Sequence, residues 1–187
     1  MILPGRDPRR GPSFSLRNRV ARALWGAAWL LLFRPSPRPL HRWRALLLRV
    51  FGARLGRDVH VYPAVRIWAP WHLRLGDGVG IGDGVTLYNI APIDIRDGCV
   101  VSQGAHLCTG SHDIDSPHFE LVAAPIALRP GVWVCAEAFV GPGVTLSAGC
   151  VLGARAVLMH SVEEPFTVWA GNPAIRIRHR RIEESSS

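Results

Sequence analysis

The chain has 187 residues, 48% of them hydrophobic, with a formal net charge of +8; that is enough apolar content for one domain to bury a core without disulfides or metals. All 22 basic residues are Arg, and residues 1–54 hold twelve of them against one Asp, whereas the remainder holds ten against thirteen acids. The basicity belongs to the N-terminal segment and comes with no nucleic-acid-binding motif, so no nucleic-acid partner is expected.

In chain order, the first feature is an apolar run at residues 20–33, fourteen residues long and containing Arg22. It falls short of the roughly 20 residues a spanning helix needs. The Arg34-Pro-Ser-Pro-Arg-Pro39 that follows lacks the small-residue cleavage site of a secretory signal, which places the protein in the cytoplasm. The pattern predicts two helices, residues 16–33 and 41–51, separated by that proline-rich break. Trp25, Trp29, Leu32 and Phe33 fall at helical spacings. The segment 1–54 therefore reads either as a helical cap over an open edge, or as a helix lying on an anionic membrane surface, with Arg17, Arg19, Arg22, Arg34 and Arg38 flanking the apolar run.

Residues 55–164 carry a period of six. Its leading positions are Leu55, Val61 and Ile67, then Leu75, Ile81 and Leu87, then Ile95, Val101 and Leu107, and finally Leu128, Val134, Val140, Leu146, Leu152 and Leu158, all aliphatic. Four residues after each leader the side chain is small, with Trp71 the exception among Ala91, Ser111 and the rest. Six is the period of neither a helix nor a plain strand, so each hexapeptide is a short extended piece and a turn. Three pieces close a triangular coil of eighteen residues whose leaders stack inward, and fifteen hexapeptides make five coils: an all-β solenoid. The four cysteines, 99, 108, 135 and 150, form no CxxC pair and read as free thiols, two of them core filler.

One long excursion, residues 109–127, breaks the repeat, and a solenoid that expels a loop places function there. It contains His112 at its rigid start. After the repeat, residues 165–187 read as a tail with a frayed end at 183–187.

The stretches Thr109-Gly-Ser-His-Asp113, Val140-Gly-Pro-Gly-Val-Thr145, Leu152-Gly-Ala-Arg155 and Ala170-Gly-Asn-Pro-Ala174, with Ser102-Gln-Gly104, resemble the hexapeptide-repeat acetyltransferases, most of all those of colanic acid and exopolysaccharide biosynthesis. The resemblance spans residues 55–178. It implies a left-handed parallel β-helix, a homotrimer with sites between neighbouring prisms, acetyl-CoA as co-substrate without a metal, and a sugar or oligosaccharide acceptor. His112 takes the place of the general base for direct O-acetylation. Tyr88, Asn89 and Asp113 are the expected acceptor contacts, and Ala136, Ala154, His160, Trp133 and Trp169 the expected CoA contacts, His160 standing where a lysine is usual. Two other readings of such a prism stay open: a zinc enzyme of the carbonic anhydrase kind, prompted by His106, His112 and His118, and a non-catalytic structural prism.

Overall fold

The computed structural model of the protein describes residues 11–181. Residues 1–10 of the basic segment and the frayed end expected at 183–187 lie outside the described residues. Ser15 opens α1 (Leu16–Ala28) by accepting the Asn18 N–H on its hydroxyl, as an N-cap serine does. α1 runs on into a π turn, Trp29–Phe33, and α2 (His41–Val50) follows the proline-rich break.

The chain then winds three short strands per coil. The first coil is β1 (Arg54–Leu55), β2 (His60–Val61) and β3 (Arg66–Ile67); the second is β4 (Leu73–Leu75), β5 (Gly80–Ile81) and β6 (Thr86–Tyr88). The third is β7 (Ile93–Ile95), β8 (Val100–Val101) and β9 (His106–Cys108), from which a hairpin of β10 (Gly110–His112) and β11 (Leu121–Ala123) departs. The prism resumes with β12 (Ile126–Leu128), β13 (Trp133–Val134) and β14 (Phe139–Val140), then β15 (Thr145–Leu146), β16 (Val151–Leu152) and β17 (Val157–Leu158). β18 (Thr167–Ala170) and β19 (Ile175–His179) end the described chain.

Successive coils pair in parallel into three faces: β1-β4-β7-β12-β15, then β2-β5-β8-β13-β16-β18, extended by the antiparallel β19, and β3-β6-β9-β14-β17. Leu55, Leu75, Ile95, Leu128 and Leu146 stand in register down the first face. Val61, Ile81, Val101, Val134 and Leu152 do so down the second, and Ile67, Leu87, Leu107, Val140 and Leu158 down the third. All the predicted leaders except the half-buried Leu55 are buried, and they form one continuous core. Beyond five complete coils, Val162 bridges Leu146 and β18 pairs with β16, so a sixth coil is begun.

The expected step of eighteen residues holds from Leu128 to Leu146, but it is twenty from Leu55 to Leu75 and from Leu75 to Ile95. The extra residues sit at one corner, between the third face and the first, where Pro70–His72 makes a 3-10 turn and residues 89–92 bulge. The hairpin leaves the third coil from the same corner. There the buried corner places fall to Ala69, Asn89 and Thr109, each fully buried, rather than to the expected Trp71, Ala91 and Ser111.

Backbone groups left unpaired on the outermost coils decide what covers each end. Successive coils donate to each other in both directions, His60 N–H to Val79 O and Gly78 N–H back to Arg57 O, so the outer edge of the first coil has carbonyls with no coil beneath them, among them those of Gly56, Val61, Val65 and Ile67. The helical segment meets them with side-chain donors: Trp25 Nε1 to Ile67 O at 2.7 Å, Trp29 Nε1 to Val65 O at 2.8 Å, Arg44 Nε to Val61 O at 2.6 Å and Arg49 Nη2 to Gly56 O at 2.8 Å. An edge of bare carbonyls needs donors that carry no acceptor of their own, and Arg and Trp are such side chains. The cap thus gives Trp25, Trp29, Arg44 and Arg49 their place in the segment. The side chain of Leu32, grouped with Trp25, Trp29 and Phe33 by spacing, is turned outward, the residue being 46% exposed. At the opposite end the closing segment bonds the last coil both ways: Gly153 N–H reaches Trp169 O at 2.7 Å, and Ala174 N–H reaches Val157 O at 2.8 Å. Residues 167–179 are therefore a strand pair closing the prism, where the sequence suggested only a tail.

On the outside of the third face, His106 packs edge-on against Phe139 at 5.4 Å, and its Nε2 is buried without a hydrogen-bond partner among the described residues. Burial pushes its pKa below the ordinary 6.5. The unfolded chain then takes up a proton near that value while the folded protein does not, so stability declines as pH falls below it. We expect His106→Leu to flatten the fall in urea midpoint between about pH 7 and about pH 5; an unchanged slope would assign the loss to other groups.

Candidate active site

The hairpin is anchored where it leaves the prism. Thr109 gives its N–H and its hydroxyl to Tyr88 O at 3.0 and 2.9 Å, its Oγ1 accepts the Ala91 N–H at 3.0 Å, and Ala124 N–H closes on Thr109 O at 2.9 Å. Gly110 comes next; a Cβ there would lie 2.7 Å from Ile90 Cδ1 and 3.0 Å from Tyr88 Cε1, so glycine lets the strand depart this close to the second coil. β10 and β11 pair Gly110 with Ala123, Ser111 with Val122 and His112 with Leu121. His112 is thus the last paired residue of a strand held to the core.

Its imidazole is oriented by one residue of the same loop. Nδ1 lies 2.9 Å from the Phe119 carbonyl; a carbonyl only accepts, so Nδ1 carries a hydrogen, and in the neutral ring the lone pair is at Nε2. The Phe119 ring is stacked on the imidazole, centroids 4.3 Å apart and planes within 6°, with Phe119 in a left-handed conformation at φ 47°. Sequence reasoning missed Phe119. Its signal was there, as a lone aromatic seven residues beyond the histidine in the one long excursion. Asp113 holds the turn between them: its Oδ1 accepts the N–H groups of Asp115 and Ser116 at 3.1 and 3.2 Å, and its own N–H donates to Glu120 O at 2.9 Å.

Tyr88 stands between this hairpin and a cleft of about 490 Å³ under α1, whose walls include Arg22, Trp25, Trp29 and Trp68. It packs on Trp68 at 5.9 Å. Burial, with Cys108 adding to it and Arg22 opposing, pushes its hydroxyl pKa up, so the phenol is a proton-bearing donor at neutral pH. Asn89 is different. It is fully buried, its Oδ1 accepts the N–H groups of Trp68 and Ala69 at 3.1 and 3.0 Å, and its Nδ2 donates to Ala69 O at 2.6 Å. The amide braces the corner between the first two coils and presents no surface to an acceptor, which replaces the expected acceptor contact with a structural one. Asn89→Ala would leave the buried Ala69 N–H unpaired, while Trp68 N–H keeps Leu87 O and Ala69 O keeps the His72 N–H, and we expect it to cost about 1–3 kcal/mol in urea unfolding with the acceptor KM of the folded enzyme unchanged. A raised KM at wild-type stability would restore the acceptor role.

Ala136 and Ala154 occupy stacked corners between the second and third faces, joined by Arg155 N–H to Ala136 O at 2.9 Å, beside an Arg155–Glu137 ion pair at 2.6 Å. Trp133 is 44% exposed on the outside of the second face and donates Nε1 to Ser102 Oγ at 2.8 Å. Trp169 stands in leader register against Leu152, packs on the core, and carries the His160 ring edge-on at 5.5 Å. The structure therefore joins Tyr88 to the His112 hairpin, Ala136 to Ala154, and His160 to Trp169. Within one prism the first two groups lie at opposite ends of the third face. Among the described residues no group of three or more His, Cys, Asp or Glu is placed to hold a metal ion.

No family model matches the chain. A protein of Escherichia coli K12 named for colanic acid biosynthesis, the acetyltransferase WcaF, is 45% identical over 163 residues, which cover 87% of this chain and 89% of that one. A hexapeptide-repeat-containing acetyltransferase of Vibrio cholerae O1 biovar eltor, solved with acetyl coenzyme A, superposes with a TM-score of 0.81 at 26% identity, over 91% of this chain and 93% of that one. The maltose O-acetyltransferase of Clostridium difficile 630 superposes with a TM-score of 0.82 at 19% identity, over 90% of each chain. Mirror-image coils do not superpose, so the prism shares the left hand of that fold.

Proposed function

The chain belongs to the hexapeptide-repeat acetyltransferases and is an acyltransferase, and from that premise we propose that it moves the acetyl group of acetyl-CoA to a hydroxyl of a sugar or exopolysaccharide precursor, with His112 as the general base. The observation that carries this reading is the hydrogen bond from His112 Nδ1 to Phe119 O, because in the neutral ring it directs the lone pair to Nε2, on an imidazole held by a stacked ring.

A sugar hydroxyl is a weak nucleophile at neutral pH. Nε2 takes its proton as the oxygen attacks the thioester carbonyl carbon, and the Phe119 carbonyl stabilises the imidazolium that forms. The tetrahedral oxyanion collapses, the C–S bond breaks, and Nε2 returns the proton to the departing CoA thiolate. No acyl-enzyme is required on this route; Cys108, four residues before the base, has its thiol directed to the Gly110 carbonyl at 3.3 Å.

In the acceptor site Tyr88 is a hydrogen-bond donor beside the base, and Asp113 shapes the loop above it. The CoA would run along the corner of Ala136 and Ala154, where small side chains leave turn backbone accessible, toward Trp133 on one side and toward His160 and Trp169 on the other. Because that corner and the hairpin lie at opposite ends of one face, a donor spanning from one to the other is best served by two adjoining prisms, which fits a homotrimer with sites between neighbours. The test is acetyl-CoA turnover, followed as free thiol, with free sugars, nucleotide sugars and cell-derived oligosaccharides as acceptors, alongside light scattering for mass. Acceptor-dependent thiol release by a trimer is the expected result; turnover indifferent to every acceptor would defeat the O-acetylation reading.

A further inference from the structure

The N-terminal helices have two faces, and the cap uses one. Along α1 and the π turn, Asn18, Trp25 and Phe33 are buried and Arg22 and Trp29 half-buried against the first coils. At a helical period these lie opposite Leu16, Val20, Leu24 and Leu31, which are 71%, 50%, 62% and 69% exposed. α2 repeats the arrangement: Ala45, Leu47 and Leu48 are buried, while Trp43, Leu46 and Val50 are exposed. The helices touch where Trp43 Nε1 donates to Leu32 O at 3.0 Å, so the exposed apolar residues belong to one cap. An apolar area of this extent on a folded surface calls for a partner.

Its surroundings say which. Residues 11–54 contain nine Arg and no acid, and Arg17, Arg19, Arg34, Arg38, Arg42 and Arg49 are exposed. A second copy docking face to face would set these like charges against each other, whereas a surface of anionic lipid headgroups over hydrocarbon complements both the arginines and the leucines. No helix is long and apolar enough among the described residues to cross a bilayer. We infer that the outer face of α1, the π turn and α2 is a docking surface for an anionic membrane, on which the enzyme lies without spanning it.

The experiment is co-sedimentation of the full chain with phosphatidylcholine vesicles, with and without roughly one-third phosphatidylglycerol, for wild type and for Leu24→Glu with Leu31→Glu. Wild type should partition onto the anionic vesicles, less in high salt, and the double variant should lose about tenfold in partitioning while acetyl-CoA turnover and solution mass stay unchanged. If the double variant loses turnover, Arg17→Gln with Arg42→Gln, both at exposed positions, should weaken binding in its place. No wild-type binding to anionic vesicles, or equal binding by the variants, overturns the inference. So does a change in solution mass in the variant without vesicle binding by wild type, which would assign the face to contacts between copies.

Discussion

His112→Ala is expected to lower kcat for acceptor-dependent acetyl transfer by about 10² to 10⁴, the range for losing a positioned general base, or about 3–5 kcal/mol of transition-state stabilisation. The fold should be untouched, since the half-buried imidazole sits at the end of a hairpin whose anchor is Thr109 and whose register is set by backbone pairing. Affinity for acetyl-CoA should also persist, because the expected CoA contacts lie on a different corner of the prism. Phe119→Ala provides the finer test: it keeps the backbone carbonyl that holds Nδ1 but removes the stacked ring, so a fall of about tenfold is expected from looser aim alone. Steady-state thiol release with acceptor in excess, beside a direct measure of acetyl-CoA binding, separates these outcomes. Activity within a few-fold of wild type in His112→Ala would move the base elsewhere, and loss of acetyl-CoA binding would make His112 a positioning residue.

The architecture was legible in the sequence because a hexapeptide repeat writes its inward positions as an uninterrupted aliphatic column. Such stacking needs no tertiary information beyond the period, as the in-register column Ile67, Leu87, Leu107, Val140 and Leu158 illustrates. Departures were harder to read. The twenty-residue steps arise at one corner, where Asn89 and Thr109 spend their side chains bonding the backbone of the preceding coil, and such bonds depend on which coil lies beneath, which spacing does not report. Trp169 is likewise invisible as a core residue until β18 is seen to continue the second face in leader register. At the candidate site, the excursion and its histidine stood out by interrupting the period, but the partner that orients the ring, Phe119, is joined to it by a turn rather than by any repeat. The arginines of the N-terminal segment offered only a membrane reading in sequence; Arg44 and Arg49 acquire a second role once the first coil is seen to leave carbonyls with no coil beneath them.

Arg44 shows how strongly that acceptor edge constrains the chain, and Arg44→Met is expected to destabilise the cap by about 3–5 kcal/mol. The guanidinium is completely buried. It donates to Val61 O at 2.6 Å on the prism, to Ser36 Oγ and Pro37 O at 2.8 Å, and to Arg38 O in the inter-helix break, so one side chain joins α2, the break and the first coil. Methionine fills much of the volume and removes the cost of burying a charge, which works in favour of the variant. It also removes four bonds from a charged donor, leaving Arg38 O without one while Val61 O keeps His41 Nδ1, Pro37 O keeps the Leu40 N–H and Ser36 Oγ stays bonded to Phe33 O; at about 1.5–3 kcal/mol for a bond to a charged group, that loss outweighs the relief. Arg44→Lys should recover less than half of the loss, because a single ammonium cannot fork between Val61 on one side and Pro37 and Arg38 on the other. The prism has its own core, so the damage should appear in urea as an early transition of the cap, read by the fluorescence of Trp25 and Trp29, ahead of the main unfolding of the coils. A single transition at the wild-type midpoint for Arg44→Met would mean that the carbonyl edge tolerates exposure, and that donor matching is not what binds the arginine-rich segment to the first coil.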